Sequence, residues 1–189
     1  GEEAMIPVRE NFAETAFFYP NLRTDSLGGV SIVFTVPDAL TEWKFTGLAH
    51  TQAVDYGMLP QTVKTSKPFM VQPNMPRFVR KGDRTVIAAS LVNLSMDKIE
   101  GNAGIKLYDP VTEEVVYDYQ QPFSVAEGTT GVVRFDCQIP DTYDMLVCRI
   151  TAEAGEYSDG EQHYLPVLTD KQWMTETVPV QLDGESMTE

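Results

Sequence analysis

Hydrophobic and polar residues alternate along this chain in short stretches. In the first stretch every second residue from 30 to 36 is apolar, with Ser31 and Thr35 between them. A period of two is typical of a strand with one buried face. The positions on that face in the six stretches are Val30, Ile32, Phe34 and Val36; Trp43, Phe45 and Gly47; Val86, Ala88, Ser90 and Val92; Ala103, Ile105 and Leu107; Val133, Phe135, Cys137 and Ile139; and Leu146, Cys148, Ile150 and Ala152.

No stretch has the spacing of an amphipathic helix. The best candidate, residues 6–18, contains Pro7 and aromatic residues and has no sustained apolar stripe. Turn residues separate the alternating stretches at 25–29, 73–76, 81–83, 109–110, 127–128 and 140–141. Strands separated by turns every ~8–12 residues are typical of a β-sandwich. We therefore predict an all-β chain with fibronectin-III- or immunoglobulin-like sandwich architecture.

The predicted strands fall into two units and a tail. Residues 1–66 offer three or four strands, and residues 67–170 have room for seven, as in a fibronectin-like sandwich. Residues 171–189 contain one more predicted strand, 173–182, before a polar end. A three-stranded unit leaves an apolar face and its edges open. We therefore expect the first unit to be part of a larger domain, and the isolated chain to self-associate through open strand edges.

Charge and composition exclude several classes of partner. The formal net charge of −14 argues against nucleic acid, whose phosphates require clustered lysines and arginines, and disfavours anionic membranes. No apolar run reaches the ~18 residues of a membrane span. The chain opens with Gly1-Glu2-Glu3, without an initiator methionine or a signal peptide. We therefore expect that it is processed or cut from a longer polypeptide.

One segment invites comparison with a serine hydrolase. Residues 155–160 read Gly-Glu-Tyr-Ser-Asp-Gly, and His163 follows. A nucleophile elbow needs Gly-x-Ser-x-Gly on a turn between a strand and a helix. Here the first glycine lies one residue too far from Ser158 and no helix follows. We interpret Ser158-Asp159-Gly160 as a hairpin turn.

Metal-binding patterns are equally weak. The two histidines, His50 and His163, are isolated in sequence from cysteines and paired carboxylates, whereas a metal site usually needs three or four ligands. Four acidic residues lack the spacing of a calcium loop and are interpreted as a solvated hairpin: Asp109, Glu113, Glu114 and Asp118. We predict no catalytic, cofactor-binding or metal-binding residue.

The two cysteines, Cys137 and Cys148, lie on the apolar faces of consecutive predicted strands. Buried thiols would pack there as small hydrophobic groups, and a disulfide between strands or sheets stays open because sequence does not fix the geometry. Asn93-Leu94-Ser95 is a formal glycosylation sequon, which matters only in a eukaryotic secretory host.

Three segments carry a resemblance to a known family. Residues 14–20 (Glu-Thr-Ala-Phe-Phe-Tyr-Pro) resemble a Pro-Glu-Thr-Trp-x-Trp segment, with Ala13 in place of the proline. Residues 36–44 (Val-Pro-Asp-Ala-Leu-Thr-Glu-Trp-Lys) are similar to a Val-Pro-Asp-Thr-Ile-Thr-x-Trp signature. Residues 67–83 are similar to a third segment of the same family, the strand that opens the domain following the Val-Pro-Asp signature. Their order and spacing over residues 8–182 resemble the α2-macroglobulin family, in the style of its bacterial branch.

The resemblance implies macroglobulin domains: residues 1–66 the part of the sixth domain after the bait region, 67–170 the seventh, and 171–189 the lead-in to a CUB-like domain. It implies a parent that traps proteases and lies in the periplasm or at the cell surface, with a lipid anchor. Its partners would be proteases, through the parent, and other domains of the same chain. Neither a bait segment nor a Cys-Gly-Glu-Gln thioester lies here, so this chain would be a scaffold rather than an enzyme.

An alternative function stays open from sequence. The strand count also suits a binding or spacer module of a cell-surface protein that uses strand edges or loops for its partners, since a fold does not dictate a function.

Overall fold

The computed structural model describes residues 6–170 and Glu176, and over these residues the chain is entirely strands, turns and loops. The strands are β1 (Val8–Arg9), β2 (Glu42–His50), β3 (Tyr56–Lys64), β4 (Phe69–Asn74), β5 (Val79–Arg80), β6 (Arg84–Asn93), β7 (Ile99–Tyr108), β8 (Val115–Val125), β9 (Thr130–Gln138), β10 (Met145–Ala154) and β11 (Tyr157–Leu168). The prediction of an all-β chain is confirmed. The predicted strand 173–182 lies outside the described residues.

Strands β4 to β11 form a two-sheet sandwich. The larger sheet has the order β1-β11-β10-β7-β8, with β5 also pairing with β11, and the smaller has the order β4-β6-β9. Neighbouring strands are antiparallel, except that the short β1 and β5 each run parallel to β11. The sheets approach each other where β4 lies against β11 and where β9 lies against β8. Residues 67–170 thus hold seven longer strands and the two-residue β5.

The core lies between these sheets because alternate residues of each strand point inward. Its largest fully buried side chains are Phe69, Phe135, Ile87, Leu91, Ile105, Leu107, Ile139, Leu146, Ile150, Leu165, Val71 and Asn93. Phe69 and Phe123 stack across the core with ring centroids 5.6 Å apart. The inward faces predicted for β7, β9 and β10 are confirmed.

In β6 the predicted strand is present but the predicted face is wrong. Ile87, Ala89 and Leu91 are buried, whereas Val86, on the predicted face, is 58% exposed. This strand is apolar on both faces, so alternation alone does not say which face meets the core. A shift of one residue exchanges the two faces completely.

The strand predicted for residues 30–36 is also wrong. These residues pair with no strand of the described chain, and Val33 is 89% exposed. The turn before them is confirmed: Asp25 Oδ1 accepts hydrogen bonds from the backbone of Leu27 and Gly29, and Gly28 has a φ of 81°. An alternating segment forms a strand only where another edge satisfies its backbone hydrogen bonds.

Strands β2 and β3 form a separate two-stranded hairpin. Its register runs from Glu42 opposite Lys64 to His50 opposite Tyr56, and all nine residues of β3 are exposed. Phe17 packs against one side, with its ring centroid 6.0 Å from that of Phe45. A lone hairpin has marginal stability in water. The expected self-association through this unit stays a prediction.

Among the described residues, none belongs to a helix with the length and hydropathy needed to cross a bilayer.

Candidate functional site

The most unusual side chains of the molecule form a buried charge cluster (Arg9, Lys67, Asp159 and Glu161). Asp159 lies in β11 with its side chain fully buried, and the side chains of Arg9 and Glu161 are 7% and 11% exposed. Charged residues are almost never buried to this extent without partners. We therefore treat the cluster as the candidate functional site.

Asp159 accepts hydrogen bonds from three directions. Its Oδ2 accepts from Arg9 Nη2 at 2.7 Å and from the Val71 backbone N–H at 2.9 Å. Its Oδ1 accepts from Arg9 Nε at 3.1 Å and from Lys67 Nζ at 2.7 Å. Every charge is satisfied, which buried ionised groups require. The carboxylate thereby joins the N-terminal segment and the region of β4 to β11.

Glu161 extends the cluster outward. Its Oε1 pairs with Arg9 Nη1 at 2.8 Å, and its Oε2 lies 2.8 Å from His163 Nε2. The imidazole of His163 stacks on the ring of Phe12, with centroids 4.8 Å apart and planes at 8°. Phe12 and Arg9 thus contact the same strand, three residues apart along the chain.

Backbone pairing brings Arg9 to this position. Strand β1 runs parallel to β11, with Val8 opposite Gly160 and Arg9 opposite Glu161. Gly160 lies close to the neighbouring strand β10, because a Cβ there would lie 3.0 Å from the Ile150 carbonyl oxygen. Residues 6–12, which carry this strand and Phe12, are called the N-terminal strap below.

The Val-Pro-Asp signature lies beside the strap. Asp38 Oδ2 accepts hydrogen bonds from the backbone of Glu10 and Asn11, and Asp38 N–H donates to the Asn11 carbonyl. These two partners of Asp38 lie 28 and 27 residues away in the sequence. An open, largely apolar cleft of 360 Å³ lies between the strap and this signature, lined among others by Pro7, Pro37 and Leu40.

Two opposing effects set the ionisation of Asp159. Burial favours the neutral acid, but the hydrogen bonds from Arg9, Lys67 and the Val71 N–H outweigh it and hold the pKa of Asp159 below its usual value. The carboxylate is therefore charged near neutral pH. Ion pairs of this kind hold separate segments of the chain together.

The structure changes the interpretation of residues 155–160. The turn lies at Gly155, which has a φ of 61°, and Ser158-Asp159-Gly160 belong to β11 rather than to a turn. The turn assignment for Ser158 is wrong because residues 155–156 already connect β10 to β11 and reverse the chain there. His163 lies in the same strand and contacts Glu161, so Ser158 and His163 are not brought into a catalytic pair.

The remaining candidates lie apart from the cluster. His50 is exposed at the end of β2. Asp109 Oδ1 accepts three hydrogen bonds within its loop, from Val111 and Thr112, and Asp118 pairs with Lys106 at 3.3 Å. The solvated hairpin is therefore present. Over residues 6–170, no group of three or more histidines, cysteines or acidic residues is arranged to hold a metal ion.

The two cysteines are free and buried, one in each sheet. Burial raises the pKa of Cys137 to about 11 and that of Cys148 to about 12. High pKa values leave almost no thiolate at neutral pH, and the thiolate is the reactive form. Both residues pack as small hydrophobic groups, as the sequence predicted.

The sequon asparagine has a structural role. Asn93 is fully buried, and its Nδ2 donates to the carbonyls of Asp97, Val125 and Ala126. Its Oδ1 accepts from the N–H and hydroxyl of Ser95. The amide nitrogen that would carry a glycan is therefore used to close the β6–β7 and β8–β9 connections.

Sequence comparisons point to one family. Residues 15–104 match the family model described as Alpha-2-macroglobulin family. A protein of Nostoc sp. named Alpha-2-macroglobulin homolog is 28% identical over 72% of this chain and 8% of its own length. Ovostatin of Gallus gallus is 30% identical over 46% of this chain and 6% of its own length. The chain therefore spans less than a tenth of these relatives.

Comparison of structures gives the same result for the fold. The chain is similar to Escherichia coli alpha-2-macroglobulin activated by porcine elastase, with a TM-score of 0.64 and 19% identity. The similarity covers 85% of this chain and 15% of that structure. At this identity the similarity shows the fold alone.

Replacing the cluster arginine should destabilise the sandwich. We expect Arg9→Ala to lower the free energy of unfolding by about 3–5 kcal/mol, because it leaves buried carboxylates without their main partner. Urea unfolding followed by circular dichroism measures the change. Arg84→Ala is the matched control: its ion pair with Asp136 is exposed on both sides, so stability should be almost unchanged. Equal effects of the two substitutions would contradict the structural role of the cluster.

The lowered pKa of Asp159 predicts a loss of stability in acid. A carboxylate whose folded pKa lies below its unfolded value stabilises the fold fully above about pH 5 and loses this contribution as the pH falls below about 4. We expect the urea midpoint to fall over this window. The fall should be smaller in Arg9→Ala, in which the pKa of Asp159 is less depressed, and an identical profile in both proteins would contradict the assignment.

Both thiols should be inert in the folded protein. We expect no reaction of Cys137 or Cys148 with Ellman's reagent at about pH 8, and reaction of both in denaturing urea, since burial raises their pKa values and blocks access. Rapid labelling without denaturant would show that the two sheets separate easily or that the thiols are accessible.

Proposed function

We propose that this chain, as part of an alpha-2-macroglobulin family protein, is a scaffold segment of a protease-trapping inhibitor and has no catalytic, cofactor or metal site of its own. The match of residues 15–104 to the family carries this proposal, because it includes the Val-Pro-Asp signature that lies against the strap. The family points to an inhibitor rather than an enzyme. The saturated ion pairs of the buried charge cluster suit a structural role.

The domain boundaries form part of the same proposal. We assign residues 1–66 to the post-bait part of a sixth macroglobulin domain, 67–170 to a complete seventh domain, and 171–189 to the lead-in to a CUB-like domain. The closed two-sheet sandwich of β4 to β11 supports the second unit, and the lone β2–β3 hairpin supports an incomplete first unit. The pairing of Val8 and Arg9 with β11 would attach the first unit to the second.

Within such an inhibitor the chain would act mechanically. The Escherichia coli alpha-2-macroglobulin to which this chain is similar was activated by porcine elastase. If a protease cuts the parent upstream of this chain, the strap would stay fixed to the sandwich by its buried ion pairs. The strap would hold the post-bait strands on the seventh domain while other parts of the parent rearrange.

The proposed partners follow from the same assignment. They are proteases, through the parent, and neighbouring domains of the same chain, which would cover the exposed hairpin. The net charge of −14 argues against nucleic acid. We propose a periplasmic or cell-surface location for the parent, with a lipid anchor.

The decisive experiment uses the full-length parent and a broad-specificity protease such as elastase. After incubation, the protease is assayed on a small peptide and on a large protein. We expect activity on the peptide to persist and activity on the protein to fall, because entrapment blocks only large substrates. The matched control is a parent whose upstream segment has a scrambled sequence that the protease does not cut. With this control, protease activity on both substrates should stay unchanged.

Unchanged activity on both substrates would contradict trapping. The chain would then belong to a macroglobulin-like protein that binds or spaces other molecules at the cell surface.

A further inference from the structure

The N-terminal strap is held by few contacts, and all of them lie within seven residues. Two residues pair with β11, Arg9 enters the buried charge cluster, and Phe12 stacks on His163. Glu10 accepts a hydrogen bond from Gln162 and its backbone donates to Asp38. Beyond Phe12, residues 13–15 are exposed. The strap therefore contacts the sandwich as a bound peptide would.

The acceptors under the strap also have partners outside the strap. Asp159 is held by Lys67 through Oδ1 and by the Val71 N–H through Oδ2, independently of Arg9. Glu161 is held by His163. The Val71 carbonyl, which accepts from Arg9 Nη2 at 2.7 Å, belongs to β4. A set of acceptors fixed in advance in this way loses little entropy when it binds a ligand.

The geometry of these acceptors selects arginine. Three guanidinium nitrogens contact both oxygens of Asp159, one oxygen of Glu161 and the Val71 carbonyl. The guanidinium is a planar fork with five N–H donors, whereas the lysine ammonium is a point charge that cannot span acceptors on opposite sides. The aromatic ring three residues later adds a second contact through stacking on His163.

We propose that this groove, formed by Val71, Asp159, Glu161 and His163, is a binding site for an extended peptide of the form Arg-x-x-aromatic, which the strap occupies in this structure. The peptide adds to β11 as a parallel edge strand, places its guanidinium between Asp159 and Glu161, and stacks its aromatic residue on His163. The site binds an Arg-x-x-aromatic peptide also when that peptide is not covalently connected to the rest of the chain.

The test separates the strap from the chain without removing it. A recognition sequence for a specific protease is inserted between Glu14 and Thr15, both exposed, and the full-length chain is cut after folding. A fluorescent peptide with the sequence of residues 6–14 is then added, and its anisotropy is measured against the cut and uncut chain. We expect saturable binding to the cut chain, and little binding to the uncut chain, in which the strap competes.

Variant peptides test the recognition itself. Arg9→Lys should weaken binding by about tenfold or more, because it loses the bidentate contacts. Glu14→Gln is the matched control: it removes an exposed charge that lies beyond the strap, and it should alter affinity by less than about threefold. On the protein side, Glu161→Gln keeps the shape of the groove and should weaken the Arg9 peptide more than the Arg9→Lys peptide.

Three outcomes would overturn the proposal. One is equal binding of the Arg9 and Arg9→Lys peptides. Another is absence of exchange with the cut chain over days. The third is loss of the β-sheet circular dichroism signal on cutting, which would make the strap an inseparable part of the core. None of these outcomes depends on whether the parent traps proteases.

Discussion

The ion pair between Arg9 and Asp159 is the interaction on which the arrangement of this chain depends. It joins two residues 150 positions apart and fixes the first described strand to the last. Removing charges from water is costly, and the mutual attraction of a buried pair often only offsets that cost. Here Lys67 and the Val71 N–H donate further hydrogen bonds to Asp159. The two acidic side chains of the cluster, Asp159 and Glu161, are thus paired with two basic ones, Arg9 and Lys67.

Because a buried ion pair adds little net stability, its main effect is on specificity. A hydrophobic side chain at position 9 could pack against several parts of the sandwich, whereas a guanidinium has a low free energy only where acceptors surround it. The cluster therefore determines where the N-terminal strap docks and, through Asp38, where the Val-Pro-Asp signature follows.

The sequence predicted those parts of the fold whose signal is local. In β7, β9 and β10 the inward residues alternate with polar ones, so both the strand and its buried face could be identified. In β6 both faces are apolar, and the buried face depends on the register with β4 and β9. In residues 30–36 apolar and polar positions alternate as they do in the strands. A strand forms there only if the edge of another strand is available for backbone pairing, which the local sequence does not show. The buried role of Asp159 had no local signal, since its neighbours Ser158 and Gly160 are typical of turns, and Arg9 lies at the other end of the chain.

The parallel pairing of β1 with β11 has a consequence for the order of folding. Hairpins such as β10–β11 close short loops, whereas β1 can dock only after β11, 150 residues later in the sequence at the Arg9–Asp159 pair, has been synthesised and has a place in the sheet. Contacts with such large separation in sequence carry the largest loop-closure entropy and form late. We therefore expect the strap to dock after the central strands have formed, and its amides to exchange with solvent before those of β7 and β10.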